Sequence, residues 1–117
     1  MVVAFDVSGT LRGGGFRVEE LFKWFQSKGC EMVIWSNEFT WALDEAKQMG
    51  LSTDNARRKI TKYDADNELS RFMDIAVDDD PRSTHLAAKH FIFVNKIVHP
   101  SKFEETYGPL LTGGSNG

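Results

Sequence analysis

The sequence contains one cysteine, Cys30, so no internal disulfide can form and a reducing compartment is the simplest setting. Cys30 stands just before an apolar run and reads as a small buried side chain rather than a nucleophile. No apolar stretch approaches the ~20 residues that a bilayer-spanning helix needs, so no membrane partner is expected. There is no internal repeat. Charge of neither sign dominates: 14 Lys and Arg stand against 17 Asp and Glu, a net −3. That balance gives no general attraction to nucleic acid or anionic lipid. His85, His90 and His99 lack the spacing of a metal pair and read as surface or packing residues. The first residues carry no basic stretch of the secretory kind and meet Asp6 at once, so a cytoplasmic location is expected.

What the 117 residues do contain suits one domain with one core. Residues 1–111 are expected to form it. Residues 112–117, Thr-Gly-Gly-Ser-Asn-Gly, have nothing to bury and are expected to be a flexible tail. Four apolar runs, at residues 2–5, 32–35, 75–77 and 91–94, read as strands covered on both faces. A weaker fifth candidate lies near Leu51. Val18, Leu21, Phe22 and Phe25 fall at i, i+3, i+4, i+7, and this helical stripe ends at Lys28-Gly29. Leu43, Ala46 and Met49 form a second stripe, closed by Gly50. Residues 65–72 and 84–90 are expected to be two further helices. Strand alternating with helix predicts an α/β fold, a Rossmann-like three-layer α/β/α arrangement around a mostly parallel sheet.

In such sheets ligands bind at the carboxyl ends of the strands. Asp6 follows the first run, Ser36-Asn37 the second, and Asp78-Asp79-Asp80 the third. Four carboxylates in one crevice repel one another unless a cation or protons compensate. Aspartates with backbone carbonyls form the hard oxygen set that Mg²⁺ prefers. Asp74 and Asp80 read as structural, with Asp80-Pro81 a turn or helix start.

At these residues the sequence resembles the haloacid dehalogenase-like (HAD) superfamily of hydrolases, mostly phosphatases. VAFDVSGTL at residues 3–11 is similar to its first motif, hhhhDxDGTL, and VIWSN at residues 33–37 to its second. DIAVDDDP at residues 74–81 resembles the fourth motif. Lys62 stands where the third motif's lysine is expected, with Lys59 the alternative. The resemblance implies a Mg²⁺-dependent phosphohydrolase in which Asp6 is the nucleophile and forms an aspartyl-phosphate. It implies that Mg²⁺ is held by Asp6, the Ser8 carbonyl and an acid of the fourth motif, Asp79 directly and Asp78 as second ligand or behind it. Ser36 and Lys62 would act on the phosphoryl group, with Ser8, Gly9 and Asn37 beside the substrate. Gly13-Gly14-Gly15 would form the tip of a flap.

Two departures from that pattern bear on function. Ser8 stands where the family usually carries a second aspartate, the general acid and base, a role worth roughly 10²–10⁴-fold. The alternative is therefore a catalytically weakened or inactive module that binds phosphate, metal or protein. The gaps between motifs also leave no room for a cap domain. An open site suits a macromolecular or nucleotide-like phosphorylated substrate, or closure by a second copy in a homo-oligomer. The cluster Arg57-Arg58-Lys59 reads either as a solvated face or as an attractor for such an anion, a nucleotide or nucleic-acid end included.

Overall fold

The apolar runs form strands in the computed structural model, which describes residues 1–112. The strands are β1 (Val2–Asp6), β2 (Glu31–Ser36), β3 (Ala56–Arg58), β4 (Met73–Asp78) and β5 (Ala88–Phe93). All neighbours pair in parallel, in the order β3-β2-β1-β4-β5. The chain steps one way from β1 to β3 and then crosses back to β4 and β5. The order therefore reverses between β1 and β4, and a crevice opens at their carboxyl ends.

Three α-helices cover one face: α1 (Phe16–Ser27), α2 (Phe39–Gln48) and α3 (Phe103–Leu111). The stripe Val18, Leu21, Phe22 and Phe25 of α1 is buried as its spacing predicts. It packs with Phe103 and Tyr107 of α3 on Val3, Phe5, Ile75 and Val77. Phe5 meets the rings of Phe22 and Phe25 edge-on, with centroids 5.1 and 6.3 Å away. Ala42 and Ala46 of α2, small enough for close approach, lie on Ile34 and Ala56. Because Phe5 pairs with Ile34, these side chains share one face of the sheet.

The opposite face carries Ala4, Val33, Trp35 and Ala76, with Leu86 folded onto them. No residue of the three α-helices belongs to that cluster. Its cover is the chain between β3 and β4 and between β4 and β5, built of turns and the 3-10 segments Leu69–Arg71 and Pro81–His85. The sheet is thus flanked on both sides, as a three-layer arrangement requires, but the second cover is irregular.

Several local expectations are corrected. Residues 65–72 form turns and one 3-10 segment rather than an α-helix. Residues 84–90 split between the 3-10 segment and β5, which begins at Ala88 rather than 91. The fifth strand is β3, not a strand near Leu51. Helix α3 was not evident from the sequence. The expected tail lies outside the described residues apart from Thr112, which ends α3. Among the described residues no helix is long and apolar enough to cross a membrane.

Candidate functional site

Asp6 ends β1 at the crevice and is only 7% exposed. The chain then turns tightly: the Leu11 amide donates to the Asp6 carbonyl (3.2 Å), and the Arg12 amide to that of Val7 (2.9 Å). This turn buries Thr10, whose Oγ1 lies 3.3 Å from Asp6 Oδ2 as donor. Gly9 has φ +78°, and a Cβ there would stand 2.3 Å from Asp79 Oδ2. Glycine is required twice over, by the backbone and by the carboxylate resting against it. The loop closes through a backbone bridge between Ser8 and Arg12 and passes through Gly13-Gly14-Gly15 to α1.

Asp78 ends β4 beside Asp6 and is 2% exposed. Its Oδ1 accepts from the Asp80 amide (2.9 Å) and its Oδ2 from Lys59 Nζ (3.0 Å). Asp79 follows it and is exposed. Asp80 has the structural role expected of it: its side chain accepts from the Arg82 amide and caps the 3-10 segment Pro81–His85.

The lysine at this site is Lys59. Its amide donates to the Ser36 carbonyl (3.0 Å), which extends the β2–β3 ladder by one residue and brings the side chain to the crevice. Lys59 Nζ lies 2.8 Å from Asp6 Oδ1 and 3.0 Å from Asp78 Oδ2. Lys62, the lysine favoured from sequence, is not brought there. Its amide donates to the His85 carbonyl, and its exposed ammonium stands 5.4 Å over the Phe91 ring. The signal for Lys59 is its place at the carboxyl end of a strand, as for Asp6. Its strand, Ala-Arg-Arg, went unseen because it is not apolar.

Ser36 ends β2, buried, and its Oγ accepts from the Glu38 amide (3.1 Å). The hydroxyl proton therefore stays free to donate elsewhere. Asn37 is exposed and, with Lys59, Asp78, Arg82 and His85, lines a cleft of about 450 Å³. Ser8 points into solvent, and Arg12 of the same loop is ion-paired with Glu45 at 2.6 Å. Residues 7–15 contain no carboxylate at all.

Asp6, Asp78 and Asp79 each place a carboxylate oxygen within 4.8 Å of the others. One ammonium among three carboxylates leaves the group short of positive charge. The Asp6 pKa is raised from 3.8 to about 6: burial pushes it up most, Lys59 pulls it down, and the Asp78 charge and an Asp79 hydrogen bond push it up. Burial alone would lower the Lys59 pKa, but the hydrogen bonds and charges of Asp6 and Asp78 outweigh it and hold it above 10.5. A hard divalent cation fits this donor set. Lys59 already occupies Asp6 Oδ1 and Asp78 Oδ2. Asp6 Oδ2 and the exposed Asp79 carboxylate, lodged in the hollow that a Cβ at Gly9 would fill, are the oxygens best placed for a metal. Comparison with protein-family models, with curated proteins and with solved structures finds no match to this chain.

Proposed function

We propose that this chain is a Mg²⁺-dependent, HAD-like phosphohydrolase that works through an aspartyl-phosphate on Asp6. The observation that carries the reading is the meeting of Asp6, Lys59, Asp78 and Asp79 at the point where the strand order reverses. A buried carboxylate held beside an ammonium, in an acidic cluster that calls for a cation, is the equipment for attack on a phosphoryl group.

In this reading Asp6 and Asp79, with the Ser8 carbonyl, would hold the metal, while Asp78 holds Lys59. Bound there, Mg²⁺ would offset the repulsion between a dianionic phosphate and the Asp6 carboxylate. Asp6 attacks phosphorus; its new P–O bond forms as the bond to the leaving oxygen breaks. Lys59 stabilises the negative charge on the transferring group, and the free proton of Ser36 is available to a phosphoryl oxygen. Water then attacks the phosphorus of the aspartyl-phosphate, releasing inorganic phosphate and restoring the carboxylate.

The test is hydrolysis of acetyl phosphate and of a chromogenic phosphate monoester, with and without Mg²⁺, by wild type and Asp6→Asn. Turnover that survives this substitution would sink the mechanism. A second reading has its own support: the loop over the site supplies no carboxylate and Ser8 is exposed. The chain would then bind Mg²⁺ and phosphate with little turnover, as a weakened module. Calorimetric binding without product release would identify it.

A further inference from the structure

Away from Asp6, the helix-free face of the sheet has a cavity of about 360 Å³ over β2 and β3, bounded by the chain that leads into β4. Its size is that of a small-ligand pocket. Val33 and Trp35 of β2 form part of its floor, and Phe72 and Met73 part of its wall. Trp35 is 0% exposed, and its Nε1 is buried with no hydrogen-bond partner among the described residues. Trp35 therefore lies beneath the cavity floor, where its indole N–H signal reports on what the cavity holds. Room for so large a ring is made by the small neighbours Ala4, Ala76 and Ala88 in the same cluster.

Three arginines line the same cavity: Arg57, Arg58 and Arg71. Among the described residues none of them is ion-paired, whereas Arg12 and Arg82 each have a carboxylate. Arg57 is tethered through Nη1 to the Asp54 and Ala56 carbonyls, and Arg71 through Nη1 to the Asp64 carbonyl (2.8 Å). Such tethers fix a guanidinium while leaving its other donors free, which suits recognition of phosphate or carboxylate. Glu31 is the one acid in the lining, so the cavity remains positive.

We infer that this cavity is a second ligand site, separate from the Asp6 cluster, for a small anion bearing a flat ring. A nucleoside monophosphate has both features: a ring for the apolar lining and a phosphate for the arginines. The inference does not depend on turnover at Asp6.

The experiment is a titration of the ¹⁵N-labelled full chain with adenosine monophosphate, with chelator present so that no metal-dependent hydrolysis intervenes. The readout is the indole N–H signal of Trp35, assigned with Trp35→Phe or, if that variant does not fold, by through-bond assignment. A saturable shift of this signal, with Trp24 and Trp41 much less affected, is expected. Arg57→Gln with Arg71→Gln should weaken binding at least about tenfold, and Arg17→Gln on the opposite face should not. Adenosine alone and inorganic phosphate alone should each bind far more weakly. The inference is overturned if Trp35 shows no saturable shift with a Kd below about 1 mM. It is equally overturned if inorganic phosphate gives the same shift, or if Asp6→Asn removes it, since binding then belongs to the Asp6 cluster.

Discussion

Lys59 Nζ lies 2.8 Å from Asp6 Oδ1, and both side chains are about nine-tenths buried. Removing one member of a buried pair leaves the other charge uncompensated, at a cost of about 3–5 kcal/mol. Here the loss exposes two buried carboxylates to each other, because Lys59 also serves Asp78. Lys59→Met should therefore destabilise the fold by that order in urea unfolding at neutral pH. It should also lower acetyl phosphate turnover by about 10²-fold or more, as loss of a preorganised charge does. Lys62→Met removes only an exposed ammonium over Phe91 and should change stability by less than about 0.5 kcal/mol. If Lys62→Met damaged turnover more than Lys59→Met, the assignment of Lys59 would fail.

Gly9 offers a separate handle on the proposed metal site. A methyl at residue 9 would drive into the Asp79 carboxylate and would also sit at φ +78°, where side chains are disfavoured. Gly9→Ala should cost about 1–3 kcal/mol through backbone strain. Displacement of Asp79 should weaken Mg²⁺ binding as well. Asp79→Asn leaves the backbone untouched and should weaken Mg²⁺ binding with little loss of fold stability. Calorimetric titration of both variants checks the pair: Mg²⁺ affinity equal to wild type in Asp79→Asn would remove Asp79 from the metal site.

How far the sequence discloses this arrangement depends on how each element is covered. β1, β2 and β4 lie in the middle of the sheet, so their runs are apolar and legible, and Asp6 and Asp78 are legible at their ends. β3 is a three-residue edge strand with two exposed arginines, and nothing in Ala-Arg-Arg announces a strand. Lys59, at the end of this unannounced strand, is correspondingly inconspicuous, whereas Lys62 stands where the third motif's lysine is expected. Helix α3 is obscured by Gly108 and Pro109 in its last turns, though Phe103 and Tyr107 are spaced to share a face. Leu86, Ala87 and Ala88 have good helix propensity, yet Leu86 and Ala88 pack around Trp35 and Ala88 opens β5; tertiary packing overrides propensity there.

The raised Asp6 pKa makes a prediction about pH whose sign is fixed. The folded state holds the proton more tightly than the unfolded chain, so this stabilising contribution is complete below 3.8 and lost as pH rises through about 6. A change from 3.8 to about 6 corresponds to about 3 kcal/mol at most. In metal-free protein, Asp6→Asn should therefore gain stability relative to wild type between about pH 4 and pH 7, and the difference should level off above that. Mg²⁺ should stabilise wild type more at the upper end of that range, where it meets an ionised cluster. Denaturant unfolding at both pH values, with chelator or Mg²⁺, measures the two effects. A wild-type to Asp6→Asn difference that is flat with pH would show that Asp6 is not held protonated by its surroundings.

Under the proposed phosphohydrolase reading, Ser8 decides what kind of leaving group the site would serve. Its side chain is exposed on the loop that follows Asp6, and no carboxylate lies within residues 7–15 to take its place. A serine hydroxyl cannot give or take a proton usefully near neutral pH, so in that reading this loop offers a leaving alkoxide no acid. Acetyl phosphate, whose leaving group is a stable carboxylate, should be turned over far faster than an alkyl phosphate. Ser8→Asp introduces a carboxyl at the mouth of the site without displacing a buried group, so its stability cost should stay within about 0.5 kcal/mol. Hydrolysis of the alkyl phosphate should then rise by roughly 10²-fold, with much less change for acetyl phosphate. The comparison separates proton transfer from phosphate binding, since a change in binding alone would move both substrates together. A rise in both to the same extent, or in neither, would mean that the missing carboxylate is not what limits this site.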